Sequence, residues 1–176
     1  MKITIYKEVK YGEGRKGLFL AILQKPLFSA ALGKGKDMPS FDITLHQERQ
    51  IHPQAVRELY ATVGWWPERQ EQEIARVLEA DLAIGAWEGD RLVGFARVIS
   101  DGYFHACIDD VLVHPDYQRE GLGGLLLTEL LASLRHIETI TLFCQPELVS
   151  FYKRQGFRVY QSQVVMHRKS NKNVDQ

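Results

Sequence analysis

Cysteine is nearly absent from this chain. Cys107 and Cys144 are the only two among 176 residues, they form no CxxC pair, and no Cys/His cluster stands at metal-ligand spacing. This argues against a disulfide framework and a zinc module, so two free thiols in a reducing cytoplasm and no metal are expected. An excess of charge of one sign is lacking too: 22 Lys and Arg balance 22 Asp and Glu. No global field therefore selects nucleic acid, a membrane surface or a highly charged substrate. Long apolar runs are missing as well. Residues 18–32, LFLAILQKPLFSAAL, are too short to span a bilayer and are interrupted by Lys25-Pro26. The opening MKITIYKEVKYGEGRKG has no apolar stretch behind a basic one, so no secretory signal and no integral membrane segment are expected.

The charge that is present is unevenly placed. Residues 1–40 carry eight Lys or Arg against three acids, while the remainder of the chain is correspondingly acidic. Ile3, Ile5, Val9 and Tyr11 alternate with polar residues and predict a strand that runs into the loop GEGRKG. A short helix on either side of Pro26 is expected over 18–32, and GKGKDMPS from Gly33 has the aperiodic Gly, Pro and charge of a linker. Residues 1–40 are thus expected to form a basic N-terminal extension of strand, short helix and linker. The main domain, 41–176, is expected to begin near Phe41.

Within it FDITLHQ predicts a first strand, and His52-Pro53 opens a helix to about residue 63. After Gly-Trp-Trp-Pro at 64–67, Ile74, Val77 and Leu78 stand at helical spacing over 68–79. LAIGAW and RLVGFARVI flank Glu88-Gly89-Asp90 as a hairpin. A third strand is expected from about Phe104 to Val113, then a helix from Gly121 to about Arg135. ITLFC predicts a strand, PELVSFYKRQ a helix capped by Gly156, and FRVY and SQVVMH closing strands. Two helices, a three-strand meander, helix, strand, helix and strand make an α/β chain with a sheet of mixed direction.

Glycine is concentrated where it matters, in YQREGLGG at 117–124. A strand that ends in a glycine turn and feeds a helix presents free N–H groups at the helix N-terminus, where the macrodipole favours an anion. Gly121, Gly123 and Gly124 let a phosphate approach, and Gln118 and Arg119 can add side-chain donors. This turn matches neither a Lys-Ser/Thr phosphate loop nor, with its GLGG spacing, the GxGxxG fingerprint.

Gln118-Arg119-Glu120-Gly121-Leu122-Gly123, preceded by Val-His-Pro-Asp-Tyr, resembles the Q/R-x-x-G-x-G/A pyrophosphate loop of the GNAT superfamily of acyl-CoA-dependent N-acyltransferases. SFYKRQGF at 150–157 is similar to the family's second signature, and the likeness covers roughly residues 43–167. AWEGDRLVGFARVISDG, DDVLVHPDYQREGLG and LFCQPELVSFYKRQGF are also similar to plastid and cyanobacterial members that include plant serotonin and lysine N-acetyltransferases. The resemblance implies a GNAT-like fold, a central mixed β-sheet flanked by helices, and transfer of an acetyl group from acetyl-CoA to a primary amine in a ternary complex. The acceptor is either a small (aryl)alkylamine or a protein lysine or N-terminus, and homodimers are common in families of this kind. A non-catalytic acyl-CoA-binding module that recruits a partner through the basic segment is the alternative.

The resemblance also implies roles. Residues 118–124, with Glu120 and Leu122 among them, would hold the cofactor; Val111, Leu112 and Val113 would pair with its pantetheine arm through their backbone. Tyr152 occupies the position of the family's thiol-facing tyrosine and would protonate the departing thiolate. Gln145 stands where many members have a cofactor-contacting Asn. Asp109 and Asp110 are adjacent on a strand, so alternation sends them to opposite faces. Asp109, on the face of Val111 and Val113, is favoured as the base, with Asp110, His105 and His114 as alternatives. Trp65 and Trp66, with Phe41, Tyr103 and Phe104, are candidates for an acceptor wall, against the plainer possibility of core packing.

Overall fold

A computed structural model of the chain describes residues 5–11, 15–21, 41–166 and 168. Contacts divide the chain into two compact units, residues 1–142 and 143–176. In the first, β1 (Ile5–Tyr11) pairs antiparallel with β2 (Arg15–Ala21) as a separate two-stranded sheet. Residues 18–21 are therefore strand, where the sequence predicted helix: Leu18 pairs with Glu8 and Leu20 with Tyr6, and that ladder overrides the helical look of LFLAIL. The rest of the expected helix, and the linker at 33–40, lie outside the described residues.

Next come β3 (Asp42–Leu45), α1 (Pro53–Thr62), α2 (Glu71–Ala80), β4 (Leu82–Glu88), β5 (Arg91–Ser100), β6 (His105–Val113), α3 (Leu122–Ser133) and β7 (Thr139–Leu142). The five strands β3 to β7 stand in chain order, antiparallel except for the parallel pair β6 and β7. This is the mixed sheet that the sequence predicted. Proline at the first position starts α1, and a capping box between Gln70 and Glu73 starts α2.

Each helix buries one stripe. Val56, Leu59 and Tyr60 of α1 and Ile74 and Leu78 of α2 form one core with Ala83, Trp87, Phe95 and Leu112 of the sheet. Four of the six leucines of α3, Leu122, Leu126, Leu127 and Leu130, are buried outside that cluster. Helix α3 also packs on β4, β5 and β6, so both faces of the sheet are covered, and residues 92–98 of β5 read as one buried run. Gly94 permits that approach, because a Cβ there would stand 3.0 Å from the Ala86 methyl and 3.7 Å from Leu126. Burying each such leucine contributes about 1.5–3 kcal/mol, and Leu126→Ala would cost about 2–5 kcal/mol.

In the second unit a 3-10 turn at Pro146–Leu148 leads into α4 (Val149–Arg154), closed by Gly156 in the left-handed region at φ +90°. The predicted closing strands are not formed: residues 157–166 are irregular. Val159, Tyr160, Val164, Val165 and Met166 are exposed, and alternating apolar residues make no strand without a ladder to join. Strand β7 also stops at Leu142, short of the predicted Phe143 and Cys144.

Candidate active site

Strand β6 delivers the chain into the glycine turn. Pro115–Tyr117 makes one 3-10 turn, Arg119 stands at φ +66°, and Gly121 caps α3 at φ +87°. Gly124 and Leu125 both donate to the Gly121 carbonyl, at 3.0 and 3.1 Å, so the helix begins with the amides of Leu122 and Gly123 ahead of its first internal bond. A Cβ at Gly121 would meet nothing within 4 Å. Glycine is required there by the backbone angle, and the space before the amides is open to an anion. Glu120 precedes the cap in the chain and is exposed, and Gly124 lies in the first turn of α3. The Gln118 side chain is directed elsewhere, since its amide donates to the Val113 carbonyl at 2.9 Å.

Leu112 and Val113 of β6 pair with Phe95 and Gly94 of β5, whereas the β6–β7 ladder runs only from His105 to Ile108. Beyond Ile108 the β7-side edge of β6 carries no strand partner among the described residues. Apart from the Val113 carbonyl, which Gln118 occupies, main-chain groups on this edge are left for an extended ligand.

Between Leu112 and Asp109 the register on β5 advances by one residue fewer, which marks a bulge, and Asp110 sits within it at φ +51°. The bulge cancels the expected separation of the two aspartates: one guanidinium, that of Arg97, holds both. Its Nε donates to Asp110 Oδ2 at 2.6 Å, Nη2 to Asp109 at 2.5 Å and Nη1 to Asp81, just after α2, at 2.6 Å. Asp110 also accepts from the Tyr60 hydroxyl at 2.9 Å and from Arg69 at 3.1 Å. Its side chain is 2% exposed; that of Asp109 is 44% exposed. A left-handed L-residue costs about 1–2 kcal/mol, and these charge-assisted bonds offset that strain.

Burial pushes the Asp110 carboxyl up, but hydrogen bonding and charge from Arg97, then Arg69 and Tyr60, outweigh it and hold the group below the usual carboxylate range. Burial opposes the charge on Arg97, yet its carboxylates keep it protonated. Burial and the Asp110 charge raise the Tyr60 phenol above its ordinary value.

This cluster closes one side of a cavity of about 250 Å³ between α1, α2 and β5, lined by Tyr60, Arg69, Glu73, Phe95, Arg97 and the apolar residues of α2. The Arg69 guanidinium lies 4.2 Å from the Trp66 ring centroid and 5.5 Å from that of Tyr60. Trp66 thus touches a lining residue, Arg69, without itself lining the cavity. The other wall candidates go elsewhere: Phe41 stacks edge-on against Tyr117 at 5.8 Å, and Tyr103 and Phe104 pair with each other in an exposed loop. His105 is exposed beside Asp101 at 3.7 Å, and His114 lies 2.8 Å from Arg91; neither lines the cavity.

In the second unit Tyr152 is buried on α4, with Phe151 and Phe157 edge-on at 4.9 and 6.0 Å. Burial, and then Cys144, raise its phenol above the ordinary value, so it is protonated at neutral pH and available as a donor. Gln145 is exposed at the start of the 3-10 turn.

Tyr60, Arg69 and Arg97 were not singled out from sequence. One signal was present for Arg97, a charge within the apolar run RLVGFARVI, because a buried charge requires partners.

Residues 47–168 match the family described as acetyltransferase (GNAT) domain. An uncharacterized N-acetyltransferase ycf52 of Pyropia yezoensis is 38% identical over 122 residues, covering 66% of this chain and 70% of its own length. A chloroplastic serotonin N-acetyltransferase 2 of Oryza sativa subsp. japonica is 38% identical over 112 residues, 58% of this chain and 54% of that protein. A histone acetyltransferase of Glycine max is 38% identical over 106 residues, 52% and 46% of the two chains. Among solved structures, a GNAT family acetyltransferase from Streptococcus pneumoniae TIGR4 aligns over 74% of this chain and 100% of its own with a TM-score of 0.62 and 25% identity.

Proposed function

Because the chain belongs to the GNAT acetyltransferase family, we propose that it transfers the acetyl group of acetyl-CoA to a small primary amine by direct attack, without an acyl-enzyme. Acetyl-CoA supplies an activated acetyl thioester. The amides of Leu122 and Gly123, Arg119 and the open space at Gly121 suit its pyrophosphate, and the unpaired edge at 111–113 suits its extended arm.

The observation that carries the acceptor assignment is the cavity. The guanidinium groups of Arg69 and Arg97 on its wall are paired by Asp110 and Asp109 from behind, and the Glu73 carboxylate lines it as well, so Glu73 is the charge that would meet an ammonium. Ile74, Val77, Leu78 and Phe95 offer apolar contact to the rest of an (aryl)alkylamine. An alkylamine with a pKa of about 10.4 arrives protonated and must lose that proton before its lone pair attacks the thioester carbonyl. Asp109 is the group we assign to receive it through water, since its carboxylate is half-exposed whereas that of Asp110 is enclosed. As the carbon–sulfur bond breaks, the leaving thiolate takes a proton from Tyr152, the role the family resemblance assigns it, and the second proton shed by the acylated nitrogen returns through water to the phenolate. The products are an N-acetylamine and free coenzyme A. A protein lysine presents the same ammonium on an apolar stem, and the histone acetyltransferase relative favours it as a second acceptor class.

The test is thiol release from acetyl-CoA by purified protein with tryptamine, spermidine, an aminoglycoside and a lysine peptide in parallel. Release with tryptamine above the amine-free rate is expected. Release with spermidine or peptide alone would overturn the acceptor assignment, and release with none would overturn the transfer itself.

A further inference from the structure

The bulge on β6 turns the carboxylates of both Asp109 and Asp110 to a single side chain. Arg97 lies on β5, with its side chain 9% exposed, and its three nitrogens each take a different carboxylate. One of these, Asp81, ties down the end of α2. The other two occupy consecutive positions of β6, one of them at a left-handed angle that an aspartate adopts only with compensation. Tyr60 and Arg69 complete the surroundings of Asp110, so it is held from α1, from the α1–α2 loop and from β5 at once. Asp109 has Arg97 as its ion-pair partner, and its remaining surface faces solvent. Its side-chain link to the cavity is that one guanidinium, which lines the cavity where Asp109 itself does not.

We propose that Arg97 is a positioning residue for acetyl transfer: it fixes the bulge at 109–110 and thereby sets the Asp109 carboxylate for proton removal from the acceptor amine. The inference rests on the transfer proposed above. Lysine cannot replace it, because one ammonium on a flexible stem does not reproduce three donors in a rigid plane. The contact with Asp81 gives a means of separating positioning from simple stapling, since it joins Arg97 to α2 without touching β6.

Steady-state kinetics with acetyl-CoA and tryptamine, pH–rate profiles and calorimetric melting of Arg97→Lys, Arg97→Gln and Asp81→Asn test this. Arg97→Lys should keep the KM for acetyl-CoA within about twofold and lower kcat roughly tenfold or more, the pattern of a lost transition-state interaction. The acid limb of its profile should move to higher pH, because Asp81, Asp109 and Asp110 then repel one another with only Arg69 and a displaced ammonium nearby. Asp81→Asn should melt earlier with kcat within about twofold of wild type. Wild-type kcat and profile in Arg97→Lys, or an equal loss of kcat in Asp81→Asn, would reduce Arg97 to a structural staple. If Arg97→Gln does not fold, the other two variants still decide. A wild type that acetylates no amine overturns the transfer and this role with it; an active wild type with indifferent Arg97 variants overturns this role alone.

Discussion

Replacing Gly121 by alanine separates the two demands made on the glycine turn. At φ +87° an L-residue costs about 1–2 kcal/mol relative to glycine, and the added methyl meets nothing within 4 Å, so strain is the whole cost in the free protein. For an ordered domain of this size that lowers Tm by about 3–10 °C. Binding should suffer separately. On the proposed assignment the methyl competes with the pyrophosphate for the amides of Leu122 and Gly123, and a hydrogen bond to a charged oxygen contributes about 1.5–3 kcal/mol. Displacing one such bond raises the Kd for coenzyme A about tenfold to a hundredfold. Isothermal titration calorimetry reads the affinity and scanning calorimetry the strain. Gly89→Ala supplies the control: that residue has φ +58°, its Cβ would also meet open space, and it lies in the β4–β5 turn. It should lower Tm without changing Kd. A folded Gly121→Ala protein with wild-type Kd would refute the assignment of this turn to the pyrophosphate.

Tyr152→Phe should retain coenzyme A affinity and lose about a hundredfold to ten-thousandfold in kcat, as removal of a general acid does; near wild-type turnover with chemistry rate-limiting would dismiss it. Asp109→Asn should depress the rate at neutral pH and regain part of it as pH rises, since more amine is then neutral unaided; a flat profile would exclude Asp109 as proton acceptor. Tyr60→Phe keeps the ring and loses the bond to Asp110, so urea unfolding at pH 7 should show about 1.5–3 kcal/mol less stability. Because the folded Asp110 pKa is depressed, the stability it contributes is complete above the unfolded carboxylate value of about 3.9 and is lost as pH falls through the folded one. Asp110→Asn should therefore flatten the acid end of the stability curve, and an unchanged acid limb would contradict the burial and pairing described.

The sequence alone determined the elements whose signals are local. Pro53 and the turn at Gly89-Asp90 bound α1 and the β4–β5 hairpin because proline's fixed φ and glycine's positive φ act locally, and the spacing of Ile74, Val77 and Leu78 marked α2, whose Gln70/Glu73 cap only the structure showed. The glycine turn at 118–124 was legible for the same reason, and the two family signatures followed from contiguous strings. What depended on distant partners was not legible. LFLA became strand through pairing with 5–11, and FRVY and VVM stayed irregular where no ladder receives them. Strict alternation sent Asp109 and Asp110 to opposite faces, but one bulge on β6, held from β5 by Arg97 and from α1 by Tyr60, turned both toward the same guanidinium. No spacing within 105–113 encodes that contact. It exists because burying Arg97 requires carboxylates, and only the folded sheet decides which ones lie within reach.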